Sequence, residues 1–255
     1  MNELSGDALS RDQFLGGRLG LLQPRSGYRA GVDPVFLAAA VNAAPGQSVL
    51  DIGCGAGAAA LCLGTRVPGL SLTGLEIQPA YAALARRNGA DNGLPFEVIE
   101  GDVAAMPPAL KSRAFDHVIM NPPYFDRGTG TAAPEPAREV AMGGEVPLAI
   151  WVSEAAKRLK PKGYFHIIQR AERLPELLSA MQSRLGSIQL LPLTPRPGRD
   201  SQLAILRARK GGRAAFRLHA GLVVHDSPAH DGDRENYAAT VRAVLRDGAS
   251  LPFPD

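Results

Sequence analysis

Ser48-Val49-Leu50-Asp51-Ile52-Gly53-Cys54-Gly55-Ala56-Gly57 is a short apolar strand that runs into a turn with glycine at every second position. A helical run from Ala58 to Val67 follows it. Strand, glycine turn and helix in that order open a βαβ unit. Glycine has no Cβ, so such a turn brings backbone close to a ligand. The spacing narrows the ligand class. A dinucleotide site reads G-x-G-x-x-G and seats a pyrophosphate on the helix N-terminus, whereas Gly53, Gly55 and Gly57 are preceded by an acid, Asp51. An acid beside a helix start repels pyrophosphate and suits a cation.

Outward from this turn the pattern alternates between strand and helix. Leu70 to Glu76, Phe96 to Ile99, Phe115 to Met120, Gly163 to Gln169 and Ser187 to Leu193 read as further strands, with helices between them that begin at Pro79, Pro147 and Ala171. That order predicts an α/β, doubly wound, mostly parallel sheet. Gln202 to Arg209 alternates imperfectly and reads as an antiparallel strand at the sheet's end; Tyr237 to Leu245 reads as a terminal helix. Upstream, Phe14 to Gln23 reads as a hairpin around Gly16-Gly17, and Pro34 opens a helix. Residues 1–44 are therefore expected to form a hairpin and lid segment on a domain spanning 45–255. Phe125 to Val146 has no periodicity and reads as a long binding loop.

The fourth strand ends in Asn121-Pro122-Pro123-Tyr124. Two prolines remove two N–H donors and force the chain to leave extended and rigid. The result is a set of carbonyl acceptors without local donors, an amide at the strand's mouth and a ring that can serve as a platform. A planar amino group needs two acceptors for its N–H bonds, and the flat ring carrying it needs a face to lie against. Taken alone the tetrapeptide also reads as a proline-rich turn.

Composition excludes several classes. No apolar run approaches the roughly 20 residues of a membrane span, and the polar start, Met1 to Arg11, is unlike a signal peptide, so a cytoplasmic location is expected. Cys54 and Cys62 are too few and too close for a disulfide framework or a metal site, and the five histidines show no ligand spacing, so no metal is expected. Net charge is +3, but between Pro192 and His219 seven basic residues stand against one acid, Asp200. Such a cluster is either a solvated face or a contact for a phosphate backbone, and Arg196 and Arg199 are its candidates for substrate binding.

S-adenosylmethionine (SAM) is a cationic ligand that suits Asp51. Glu76, at the second strand's end, can accept both ribose hydroxyls, and Asp102, beyond the third strand, can accept from the adenine amino group. Each acid alone reads equally as a helix cap or turn residue; three at successive strand ends favour the ligand.

These residues together, Asp51 to Gly57, Glu76, Asp102 and Asn121 to Tyr124, resemble the class I SAM-dependent methyltransferases that modify exocyclic amino groups. Gln23, Gly27-Tyr28-Arg29 and Asp33 resemble more narrowly the tRNA (adenine-N6)-methyltransferases acting beside the anticodon of a valine tRNA. The likeness extends to Val224-His225 and Tyr237. It implies a Rossmann-like, seven-stranded sheet with an antiparallel last strand, SAM as cofactor with S-adenosylhomocysteine as product, and tRNA as partner. Asn121, Pro122 and Tyr124 are then the catalytic residues, with Asn121 also walling the cofactor; Pro123, Tyr124 and Phe125 take the base. Arg29 and Asp33 either contact the methionine end of the cofactor or pair with each other. Trp151 reads as core and His117 as structural. Competing acceptors are guanine in ribosomal RNA, adenine in DNA and a glutamine side chain. Competing classes are a nicotinamide-dependent reductase and a SAM-binding RNA protein without turnover.

Overall fold

The computed structural model describes residues 8–124, 146–227, 236–251 and 253. The loop reading for 125–146 and the base-binding role of Phe125 lie outside them, except for Val146.

Elements follow in the order β1 (Leu9–Phe14), β2 (Leu19–Pro24), α1 (Asp33–Ala40), β3 (Ser48–Ile52), α2 (Ala58–Arg66), β4 (Ser71–Glu76), α3 (Pro79–Asp91) and β5 (Phe96–Glu100). Then come α4 (Pro108–Lys111), β6 (Phe115–Met120), α5 (Leu148–Arg158), β7 (Leu159–Arg170), α6 (Leu174–Gln182), β8 (Gly186–Thr194) and β9 (Leu203–Arg209). Two-residue strands β10 (Arg217–Leu218) and β11 (Leu222–Val223) and a short α7 (Ala239–Arg242) close the chain. The terminal helix begins two residues later than the sequence reading and continues past Leu245, its second half, Ala243–Asp247, wound as a π-helix that ends at Gly248 with positive φ.

The sheet order is β10-β8-β9-β7-β6-β3-β4-β5. β3, β4, β5, β6 and β7 pair in parallel, and β9 runs antiparallel between β7 and β8. Sequence periodicity placed β9 at the sheet's end; it is interior, and its Ile205 and Leu206 are fully buried. The edge instead carries β10 and β11, both paired with β8. Both faces of the sheet are covered, which is why Val49, Leu50 and Ile52 form a run without polar alternation. One core lies under α1, α2 and the hairpin, and includes Leu19, Leu21, Phe36 and Leu61. The other lies under α4, α5 and α6, and includes Leu110, Val152 and Leu177.

The direction of β9 also splits the basic stretch. Leu203 pairs with Arg170 at the carboxyl end of β7, while Arg209 pairs with Tyr164 towards its start. Arg196 and Arg199 therefore stay at the carboxyl end of the parallel strands, and Arg209, Lys210 and Arg213 are carried to the opposite end. The single cationic face expected from composition is two separated groups. Arg207 and Arg209 are used structurally, stacked on Tyr164, with Arg207 also over Phe253. His117 is structural as well, buried with its Nε2 3.0 Å from the Gln47 Oε1.

The N-terminal segment is fastened to the rest of the domain, and Gln23, Tyr28, Ala30 and Pro34 from it line the cavity described below. β1 and β2 pair antiparallel, and two asparagines four residues apart, Asn88 of α3 and Asn92 just past its end, bond the free edge of β2. Asn88 Oδ1 accepts the Leu22 N–H at 2.8 Å, and its Nδ2 donates to the Leu22 carbonyl at 3.0 Å and the Ala56 carbonyl at 2.9 Å. Asn92 takes the Gly20 N–H and carbonyl in the same manner. Two side-chain amides thus stand in for a neighbouring strand. The following loop is closed by buried Gln23, whose Oε1 accepts the Ala30 N–H at 2.7 Å and whose Nε2 donates to Asp12 Oδ2 at 2.7 Å.

Candidate active site

β3 and β6 are neighbours, and their register sets Ile52 opposite Met120. The strand order reverses at this pair, so the next residue of each strand, Gly53 and Asn121, opens on one crevice. A cavity of about 570 Å³ lies there, in the size range of small-molecule sites. Asp51, Gly53, Gly55, Glu76, Asp102, Asn121, Pro122, Pro123 and Tyr124 all line it. The glycine turn and the proline-stiffened exit thus form two walls of one space.

The turn hangs from β4: the Gly53 and Cys54 N–H groups both donate to the Leu75 carbonyl, at 2.8 and 3.1 Å. Gly53 has φ of 73°, and a Cβ there would stand 3.0 Å from the Trp151 ring. Gly57 has φ of 90°, and a Cβ would stand 2.9 Å from Phe96. Side chains at either position are excluded by conformation and by space. Gly57 lies outside the cavity lining; its role in the turn is this close packing.

Each of the three acids accepts a backbone N–H, as the cap or turn reading expects. Asp51 Oδ2 accepts the Ala60 N–H at 3.2 Å and so caps α2, whose own cap residue is a glycine. Glu76 accepts the Gly55 N–H at 2.8 Å and the Gln78 N–H at 2.9 Å. Asp102 accepts the Ala104 N–H at 2.8 Å. A carboxylate has about four acceptor directions, so capping leaves capacity for a ligand. Burial pushes the Asp51 carboxyl up to about 7, against the Ala60 bond and helped by neighbouring Glu76. Burial also raises Glu76, against its backbone bonds to Gln78, Gly55 and Ile77. Two carboxyls held in a dry wall, with no cationic side chain bonded to them among the described residues, fit a cationic guest with hydroxyls. SAM is such a guest, and the residues present fit it.

On the other wall, Asn121 Oδ1 is buried and has no hydrogen-bond partner among the described residues. Its Nδ2 makes a long contact, 3.5 Å, to the Tyr28 hydroxyl. The Tyr124 hydroxyl donates to Asp33 Oδ2 at 2.6 Å. Burial first, then the Asp33 carboxylate, hold the Tyr124 phenol far above its ordinary value.

Arg29 and Asp33 do not pair. Arg29 donates to Asp12 Oδ2 at 2.7 Å and to Ser10 Oγ and the Pro24 carbonyl at 2.8 Å, which ties the loop to the hairpin, and Arg29 does not line the cavity. Asp33 reaches the acceptor wall through Tyr124 instead. Arg196 and Arg199 lie beyond the cavity lining: Arg196 donates to the Ser227 carbonyl at 2.7 Å, and Arg199 is exposed. Trp151 corrects its reading as core. It is half-buried, packs over Gly53 and lines the cavity. Helical spacing identifies its inward face but not that the face ends at a cavity.

Sequence reasoning also passed over Tyr28, Ile77 and Val103 as lining residues. Ile77 carried a usable signal, an apolar residue directly after a strand-terminal acid; it is 52% exposed. Tyr28 carried none beyond its place between Gly27 and Arg29. Among the described residues no group of acids, histidines and cysteines could hold a metal, and no helix is long and apolar enough to cross a membrane.

Residues 32–192 match the methyltransferase small domain family. The chain is 30% identical over 231 residues to the tRNA1(Val) (adenine(37)-N6)-methyltransferase of Porphyromonas gingivalis, covering 86% of this chain and 90% of that relative. The crystal structure of a predicted O-methyltransferase from Agrobacterium tumefaciens matches with a TM-score of 0.72 at 27% identity, covering 88% of this chain and 100% of the other. The T. thermophilus 16S rRNA N2 G1207 methyltransferase, solved with AdoMet and guanosine, shares the fold with a TM-score of 0.57 at 22% identity, over 79% of this chain and 50% of that one.

Proposed function

Since the chain belongs to the methyltransferase small domain family and is a SAM-dependent methyltransferase, we propose that its acceptor is the exocyclic N6 of an adenine in a tRNA. The observation carrying this reading is the buried, unpartnered Asn121 Oδ1 in the wall that faces the glycine turn. An acceptor atom kept dry and unpaired costs about 1–3 kcal/mol, a cost that a guest N–H removes. The relative from Porphyromonas gingivalis carries the name of a tRNA adenine-N6 enzyme, which favours adenine over guanine or glutamine. Family membership sets aside the nicotinamide-dependent reductase.

In this reading Asp51 faces the charged end of SAM, Glu76 its ribose hydroxyls and Asp102 its adenine amino group. Bound SAM supplies an electrophilic methyl on a sulfonium. The chain's own part is positioning. Asn121 Oδ1 and the Pro122 carbonyl accept the two N–H bonds of the amine, which draws its lone pair out of the ring and towards the donor. Tyr124 lies against the base, with Pro123 beside it, a stack worth about 1–3 kcal/mol. Arg196 and Arg199 meet RNA phosphate at the same end of the sheet. A tRNA substrate also places the enzyme in the cytoplasm. Mass spectrometry of nucleosides from RNA of cells with and without the gene tests this. Loss of N6-methyladenosine from one tRNA is expected; loss of methylguanosine, or no loss, overturns it.

The Asp51 carboxyl predicts a pH dependence of SAM affinity. With the ligand-free group at about 7, it is mostly protonated at pH 6 and mostly ionised at pH 8. A cationic guest selects the ionised form, so affinity rises by up to about tenfold from pH 6 to pH 8, read by calorimetry. Linkage has the opposite sign for the empty protein. Its folded-state value is raised, so the stabilisation is present at low pH and is lost as pH climbs towards about 7. Asp51→Asn should flatten the affinity profile.

A further inference from the structure

We propose that Tyr28 and Asp33, both from the N-terminal segment, are positioning residues for the acceptor wall: the Tyr28 hydroxyl sets which way the Asn121 amide faces, and the Asp33 carboxylate sets the pose of the Tyr124 ring. The inference rests on the amine-methylation reading above and adds to it the device that holds its two acceptor-side groups.

An asparagine side chain presents a donor at one end and an acceptor at the other, and a half-turn about its last bond exchanges them. Only one orientation offers Oδ1 to an amine. The other offers Nδ2, a donor, which repels the N–H bonds it should receive. Nothing in Asn121-Pro122-Pro123 decides between them, because the prolines lack N–H groups and fix only the backbone. The deciding contact comes from Tyr28 at 3.5 Å from Nδ2. A tyrosine hydroxyl can donate or accept, and here its oxygen faces the amide's N–H. Burial first, then Asp33, Asp51, Tyr81 and Glu76, push its phenol up to about 12, so the hydroxyl stays protonated.

Tyr28 is itself held from behind. The Tyr81 hydroxyl of α3 donates to the Tyr28 carbonyl at 2.9 Å, and Gln23 and Arg29 close the loop on both sides. The Tyr28 ring also faces the glycine turn, with room between them: a Cβ on Gly55 would lie 3.8 Å from it. One ring thus lines the cavity beside both walls.

Asp33 acts on the second group. It begins α1 just before Pro34, and its Oδ2 takes the Tyr124 hydroxyl at 2.6 Å. This is a charge-assisted bond, shorter and stronger than one between neutral groups. It pins the far end of a ring whose near end is fixed by Pro123. A stacking surface held at both ends loses little freedom when a base arrives.

The test uses purified full-length protein, tritiated SAM and bulk tRNA from cells lacking the gene. Tyr28→Phe should lower kcat about ten- to hundredfold, with the SAM Kd by calorimetry and the RNA KM within about threefold of wild type. A kcat within about twofold, or a loss tracking SAM affinity, overturns its role. Asp33→Ala should raise the RNA KM about tenfold, and Tyr124→Phe by as much, with the double variant no worse than either. Asp33→Asn keeps the acceptor oxygen and should recover most of the loss. Additive losses, or no recovery by Asp33→Asn, overturn the Asp33 link. If wild type transfers no methyl to the tRNA, the acceptor reading fails separately, and two activity-independent readouts judge the contacts. In 15N-labelled protein the side-chain amide resonance of Asn121 should move in Tyr28→Phe; the coupling of Asp33→Ala with Tyr124→Phe should persist in chemical unfolding. An unmoved resonance or absent coupling overturns the corresponding contact.

Discussion

Replacing Asn121 with alanine is expected to lower kcat by about 10²–10³ while leaving the SAM Kd within about threefold, measured by single-turnover transfer and calorimetry. The asymmetry follows from where the amide stands. Its Oδ1 is buried with no partner among the described residues, so truncation costs the ligand-free protein only the long Nδ2 contact to the Tyr28 hydroxyl. The carboxylates Asp51 and Glu76, which face the cofactor in this reading, belong to other strands and keep their backbone bonds. The loss should fall on the step in which the amine nitrogen gains positive charge, because Oδ1 accepts an N–H that becomes more acidic there. An Asn121→Ala protein that turns over at a rate near wild type would remove the amide from the chemistry. One that fails to bind SAM would make Asn121 a cofactor residue first.

The largest expected effect on stability lies away from the chemistry, at Asn88. This side chain is fully buried and makes three hydrogen bonds to backbone, two to Leu22 and one to Ala56. Asn88→Ala leaves those three groups without a partner, at about 1–3 kcal/mol each, so a loss of about 3 kcal/mol or more is expected. For a chain of this size that lowers Tm by about 6–12 °C. Arg87→Ala, on the exposed side of the same helix, should stay within about 0.5 kcal/mol of wild type. Because Asn88 joins β2 to the residue before Gly57, SAM should recover part of the lost Tm. A variant as stable as wild type would mean that the hairpin is held by its apolar contacts alone.

Local signals made the cofactor half of the site legible in the sequence. Strand, glycine turn and terminal acid are neighbours in the chain, so Asp51, Gly53 and Gly55 could be read as one wall, with Glu76 and Asp102 added as the same signal at successive strand ends. The proximity of Asn121 to that wall followed from one topological rule, the reversal between β3 and β6. The acceptor half was less legible because its supports come from distant parts of the chain. Tyr28 and Tyr124 are ordinary aromatic residues until folding sets one against Asn121 and binds the other to Asp33. Arg29 misled for the same reason: a cation in a glycine-punctuated turn suggests a ligand, and its partner, Asp12, lies on the first strand of the hairpin. The basic stretch misled differently. Composition counts charges along the chain, but an antiparallel strand carries its two ends to opposite sides of the sheet.

In the proposed reaction one cavity holds a cationic methyl donor against the glycine turn and a flat amine against Asn121. A crystal structure of the protein with S-adenosylhomocysteine and adenosine tests it most directly. The expected result is the adenosine amino group within hydrogen-bond distance of both Asn121 Oδ1 and the Pro122 carbonyl, its ring against Tyr124, and the homocysteine sulfur on the far side of that nitrogen. Adenosine bound elsewhere, or an Asn121 amide turned away from it, would contradict the proposal.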